Sequence, residues 1–355
     1  MGSTGVIRDQ SIDVAKGVAI IAIVLGHVLR GLATSGIIDS DGAAFQTADR
    51  LIYMAHLSVF ALLSGLFVRQ GIEKRGQVPY LRNRMGLFLY LYIVWELLQG
   101  FSALILDPEG RAIGTVLSLW RPDSQMWFFG WLILMTVTVV LLRPWGSSTR
   151  VSAVLLIVSA VSLVQWGSLG VYFGLQGIAL AIFFFVGAAI GQQRYRVALN
   201  LPYMAVVGVV CALLYVILTV WFDAVPPTTG GTHRDAPGVA LGVIASFAAV
   251  VAVAIMSRHL ARIGIVASGL GFAGRRSLEI FVAHIFALNA ARVVLDRIGI
   301  DSPALHIVAG TAAGVLLPLL LWWVILKKIG FRYLFDAPDV LTGNQGSTKA
   351  VTARL

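Results

Sequence analysis

Charge is scarce in this 355-residue chain: Asp, Glu, Lys and Arg together make up 12%, against about 25% in soluble domains. Hydrophobic residues reach 58%. Too little polar surface remains to wrap a water-soluble globule, so the composition excludes an array of soluble domains and implies an integral membrane protein. Cysteine is almost missing. The single Cys211 excludes a disulfide framework and a cysteine-based zinc site, and its apolar surroundings make it a helix-packing residue. There is no Walker-type phosphate loop, no dinucleotide-binding glycine pattern and no His-Glu-x-x-His metal motif. Nothing therefore points to ATP-coupled transport or to a metal. The formal charge of +10 raises nucleic acid as a partner. A membrane protein needs basic loops for its orientation, however, and that explanation absorbs the charge.

A membrane-spanning helix takes about 20 apolar residues to cross roughly 30 Å of hydrocarbon. Ten windows qualify: 12–34, 51–69, 84–106, 126–143, 150–166, 170–191, 201–222, 237–257, 277–295 and 304–326. The fold class expected is thus all-α and polytopic. With both termini in the cytoplasm, nineteen basic residues fall on the inner side and seven on the outer ends, as the positive-inside rule requires. The first window carries Lys16 and His27 and lacks a small-residue cleavage site, so it reads as a span and not as a removed signal peptide. Residues 1–340 are expected to form one transmembrane domain, followed by a polar, disordered tail over 341–355. The outer loop 223–237, with Pro226, Pro227, Gly230 and Gly231, should be irregular. The glycine-rich piece 258–274 reads as cytoplasmic, interfacial or re-entrant. No internal repeat is visible.

Ionisable residues inside spans are costly and mark function by default. Here they are Asp13, Lys16, His27, His56, Glu96, Glu279 and His284. Lys16 and His27 are eleven positions apart, which is about three helical turns plus 20°, so they share a face at depths about 16 Å apart. Asp13 is placed to pair with Lys16 one turn later. His56, entering the second span from outside, reaches about the depth of His27. Trp127 opens the fourth span, where a tryptophan is ordinarily an interfacial anchor. Arg82 with Arg84, and Arg275 with Arg276, are arginine pairs suited to bidentate phosphate binding, and equally to positive-inside loops. Glu96 lies near mid-membrane and needs a partner. Glu279 and His284 are spaced to interact across a turn.

The run SIDVAKGVAIIAIVLGHVLRGL resembles the opening of the acyltransferase-3 family, whose signature is a basic residue, ten positions and a histidine. Lys16 and His27 fit it, with lysine in place of the commoner arginine. MAHLSVFALLSGLF resembles the family's second-span pattern through His56, Phe60, Ser64 and Gly65. YLRNRMGLFLYLYIVW resembles its Arg-x-Arg entry to the third span, and MWFFGWLIL and RRSLEIFVAHIF resemble two further segments. Glu279 has no family role.

The resemblance implies a stand-alone membrane O-acyltransferase, without an appended hydrolase-like domain, in a bacterial cytoplasmic membrane. It would move an acyl group, acetyl foremost, from cytosolic acyl-CoA to a hydroxyl of an envelope glycan, glycolipid or secreted small molecule. Under it His27 is the general base, with an acyl-histidine as the covalent variant, and His56 or Ser64 stabilises the oxyanion. Lys16, Arg82, Arg84, Arg275 and Arg276 hold the CoA phosphates. Asp13, Glu96, Trp127 and His284 are the substrate-side candidates. No metal and no nucleic acid are expected. A proton-coupled transporter or flippase using the same buried groups is the rival, and a scaffold whose polar residues only lock helices together is the third class.

Overall fold

The computed structural model describes residues 10–106, 113–122, 124–228 and 234–343. Most of the tail expected over 341–355, and 229–233 of the outer loop, lie outside them. All regular structure among the described residues is helical. In chain order the α-helices are α1 Gln10–Thr34, α2 Ala43–Leu66, α3 Val68–Arg75, α4 Gln77–Leu106, α5 Ile113–Val116, α6 Trp127–Leu142 and α7 Ser148–Val164. They continue as α8 Ala181–Leu199, α9 Met204–Trp221, α10 Ala236–Leu260, α11 Gly264–Arg275, α12 Ser277–Arg297, α13 Pro303–Val324 and α14 Asp339–Thr342.

Among the described residues, nine helical segments are long and apolar enough to cross a membrane. The remaining expected span, the fifth window 150–166, is α7, which has seventeen residues. At 1.5 Å per residue that is about 26 Å, a small mismatch that a bilayer meets by thinning. Helix α9 shows where lipid lies. Val206, Val209, Val210 and Leu213 are all exposed, an apolar surface that water would not tolerate. The chain is a multi-pass membrane protein.

One expected span needs correction. The window 170–191 is displaced toward the C-terminus, because Gly167, Gly174 and Gly177 take positive φ, which no α-helix includes. The helix begins only at a 3₁₀ turn over Ile178–Leu180 and continues as α8. It breaks once more at Gly191, at φ 69° and ψ 163°. Arg194 and Arg196 therefore sit on the last turns of α8. In the piece 258–274, α10 runs on to Leu260, with Asp235 capping its start by accepting from the Gly238 N–H at 3.0 Å. The twelve-residue α11 then follows, too short to span.

The chain divides into two compact units, Met1–Leu63 with Gln192–Leu319, and Ser64–Gly191 with Leu320–Leu355. In the first, α1 is the central element. Its Gly17 lies against the backbone of Leu270 in α11, and Gly274 of α11 lies against the backbone of Asp13. Val24 and Val28 fill the space left by Gly314 and Gly310 of α13, and Gly26 accommodates Ile52 and Tyr53 of α2. Small residues at such crossings let backbones meet where lipid supplies no hydrophobic drive. The second unit is built on α4 and α6, with a core that includes Phe129, Trp131, Trp166, Phe183 and Phe184.

A Cβ at Gly274 would overlap the Asp13 carbonyl oxygen, whereas one at Gly269 on the same helix meets nothing within 4 Å. Gly274→Ala should destabilise the detergent-solubilised protein by about 1–3 kcal/mol, and Gly269→Ala should leave it unchanged or stabilise it slightly. Thermal unfolding of the two variants checks this.

Candidate functional site

Helix α1 is continuous, so the angular arithmetic holds, and it places Arg30 beside His27 on the stripe that starts at Lys16. Lys16, His27 and Arg30 are each partly exposed, while Ile20 and Ile23, between them on the same stripe, are buried. One helix face thus carries a cation at its first end, an apolar stretch in the middle and an imidazole with a guanidinium at its far end.

Around that far end three helices of the first unit converge. The His27 ring lies 5.1 Å from the His284 ring of α12, centroid to centroid, tilted by 54°. His284 is wholly buried. Its Nδ1 faces the carbonyl oxygens of Phe281 at 2.8 Å and Ile280 at 3.2 Å. Carbonyls only accept, so Nδ1 carries the proton and donates, and Nε2 is left as a bare lone pair. His56 is held in the same way, its Nδ1 donating to the Ile52 carbonyl, with the Tyr53 ring edge-on at 4.7 Å. Arg30 donates to both carboxylate oxygens of Asp49 at 2.7 and 2.8 Å. Its guanidinium carbon also sits 3.4 Å from the centre of the Tyr53 ring. Since α1 and α2 pair Arg30 with Asp49 and Gly26 with Tyr53, the backbone of His27 stands opposite Ile52, and that of His56 lies one turn further along α2, about 6 Å away along the axis and not at the same depth.

At the other end of α1, the buried Asp13 lies 3.9 Å from Nη1 of Arg275, and Arg276 donates from Nη1 to Oε1 of Glu279 at 3.1 Å. Here the expectation for Glu279 and His284 is corrected. Glu279 takes the arginine one turn back, and His284 turns to the carbonyls of its own helix. Both arginines flank the junction of α11 and α12, next to the crossing that holds Lys16, so three cations and two carboxylates gather there.

The remaining candidates belong to the second unit. Ser64 lies eight residues beyond His56 on α2, about 12 Å along the axis, so these two do not serve one oxygen from neighbouring positions. Arg82 gives one N–H from Nη2 to the Val340 carbonyl at 2.7 Å, and Arg84 lies 5.8 Å from the Tyr80 ring centre. Asn83, Tyr90 and Trp95 likewise donate to the carbonyls of Thr342, Tyr333 and Leu334. Residues 333–342 are thus laid along α4. Glu96 is buried on that helix. Trp127 is buried too, its ring against Gly177, which makes it a packed side chain and not the interfacial anchor that its position suggested.

Sequence reasoning missed Asp49 and Tyr53, and it left Arg30 among the seven basic residues of the outer ends. The signal available was the period of α1, which already aligns Arg30 with Lys16 and His27. The acidic partner on the next helix emerges only from the packing.

A family model described as an acyltransferase domain matches residues 9–323. The nodulation protein NolL of Mesorhizobium japonicum is 24% identical over 157 residues, which is 44% of this chain and 41% of that protein. The match spans about two fifths of that relative's length. No solved structure matches the chain.

The Arg30–Asp49 pair is bidentate and half-buried, whereas Arg69–Glu73 is an exposed pair on one helix. Asp49→Asn should therefore lower the melting temperature measurably. Glu73→Gln should cost no more than about 0.5 kcal/mol. Unfolding of both variants in the same detergent is the measurement.

Proposed function

The chain belongs to the acyltransferase-3 family, and on that premise we propose that it transfers an acyl group, acetyl foremost, from cytosolic acyl-CoA to a hydroxyl of an envelope glycan, glycolipid or secreted small molecule. Its place is a bacterial cytoplasmic membrane, with both termini inside. The observation that carries this reading is the single face of α1 with Lys16 at one end and His27 at the other. The CoA phosphates are polyanionic and meet Lys16, Arg275 and Arg276, which cluster at the inner end. The pantetheine arm is about as long as the rise from Lys16 to His27, and the stretch of the face between them is apolar at Ile20 and Ile23.

At the far end His27 takes the proton of the acceptor hydroxyl while that oxygen attacks the thioester carbonyl. The carbon–sulfur bond then breaks, and the proton passes to the departing CoA thiolate. His56 has its Nδ1–H committed to Ile52, so in neutral form it offers an acceptor and suits orienting the incoming hydroxyl. Asp13 orients Arg275 at the inner end. Arg82 and Arg84 are assigned to donor recognition and Glu96 to the acceptor.

Binding of acetyl-CoA to the purified protein tests the donor. Wild type should bind, Lys16→Ala should weaken binding about tenfold, a loss of about 1.4 kcal/mol, and the Arg82→Ala, Arg84→Ala double variant should weaken it as well. His27→Ala should retain binding while acceptor-dependent release of CoA thiol falls by about 10²–10⁴. A folded protein that binds no acyl-CoA would overturn the donor assignment and favour a transporter.

A further inference from the structure

His284 carries a buried nitrogen that the reaction above does not use. Its Nδ1–H is bound to the carbonyls of Phe281 and Ile280, and its Nε2 is buried with no hydrogen-bond partner among the described residues. An acceptor left unmade in such a place costs about 1–3 kcal/mol, so a nitrogen held there is expected to have a donor. The ring contacts of His284 are Phe281, which has no N–H or O–H to give, and His27. At a centroid separation of 5.1 Å, a small rotation of the His27 ring brings one of its nitrogens into hydrogen-bonding range of Nε2.

We propose that His284 is a positioning residue for His27: its Nε2 lone pair accepts the His27 ring N–H, fixing which His27 nitrogen is free to act as the base. This rests on the reading of His27 as the base. Three consequences make the pair chemically useful. The backbone carbonyls of α12 lock the tautomer of His284, so it can act only as an acceptor. The bond from His27 then locks the tautomer of His27, leaving its other nitrogen with the lone pair that removes the acceptor's proton. Once His27 has gained that proton, its bond to His284 becomes charge-assisted and stronger, so the partner favours the protonated form generated in the reaction over the resting form. The carboxylate that orients histidine in many hydrolases does the same work with a permanent negative charge. Inside a bilayer such a charge is expensive, and a neutral imidazole anchored to helix carbonyls avoids it.

Two substitutions separate the two nitrogens of His284. His284→Asn keeps a donor where Nδ1 was, so the bond to Phe281 survives, and it removes the lone pair at Nε2. His284→Gln returns an acceptor oxygen close to the Nε2 position. With acetyl-CoA as donor, the Asn variant should lose about 10- to 100-fold in kcat, the range seen when an orienting partner is removed. KM for acetyl-CoA should be unchanged, and the Gln variant should recover most of the rate.

The second measurement needs no turnover. Carbethoxylation of His27 by diethyl pyrocarbonate is followed by mass spectrometry in wild type and both variants, with His56 as internal control. His27 should react more slowly by a similar factor in the Asn variant and regain its rate in the Gln variant. Equal His27 rates in all three proteins overturn the pairing, even where transfer is lost. A changed His27 rate in a protein that transfers no acyl group from any donor keeps the pairing and removes the acyltransfer reading. Equal losses in the Asn and Gln variants, in kcat and in His27 reactivity alike, reduce His284 to packing and overturn the proposal.

Discussion

The contact of two backbones at glycine sets the frame of the first unit. Where Gly17 meets Leu270 and Gly274 meets Asp13, no side chain separates α1 from α11. The start of α12, with Arg275 and Arg276 at the junction, is therefore carried close to Lys16. In a bilayer the association of helices comes from close packing and not from expulsion of water. A cationic cluster beside the first turns of α1 is thus a by-product of small residues, and the acidic groups Asp13 and Glu279 keep it from repelling itself apart.

The same helix solves the opposite problem at its other end. Polar groups there must be satisfied without bulk water, and each is satisfied by a neighbour that leaves one function open. Arg30 is consumed by Asp49 and Tyr53, whereas His56 and His284 spend one nitrogen on a helix carbonyl and keep the other. The histidines stay chemically available because the backbone, which in a helix has already met its own needs, tolerates a second donor on a carbonyl oxygen.

Much of this was legible in the sequence, and the parts that were not have identifiable causes. The face shared by Lys16 and His27 needs only one regular helix, and α1 has no interruption over 10–34. The inner arginines were legible as charge, and the partner of Arg276 follows from helix geometry: Glu279 and His284, five positions apart, point about 140° apart on α12, whereas Arg276 and Glu279, three apart, are neighbours. The sixth window failed because hydropathy does not register the backbone angles of Gly167, Gly174 and Gly177. Asp49 escaped notice because α2 starts at Ala43, eight residues before the apolar window, and a carboxylate at a span's edge looks like solvent-facing polarity.

The hydrogen bonds between α4 and residues 333–342 have a temporal side. The one from Trp95 to Leu334 closes a separation of 239 residues, and the one from Arg82 to Val340 closes 258. Translation proceeds at about 5–20 residues per second, so α4 emerges about 10 to 50 seconds before the segment that completes its polar face. Throughout that interval the Arg82, Asn83, Tyr90 and Trp95 donors must be held by water, headgroups or the insertion machinery. Folding of the second unit is accordingly gated by synthesis of its last contributing segment and not by insertion of its own helices. A ribosome stalled before residue 333 leaves behind a membrane-embedded intermediate whose exposed donors mark it for the cell's quality-control proteases.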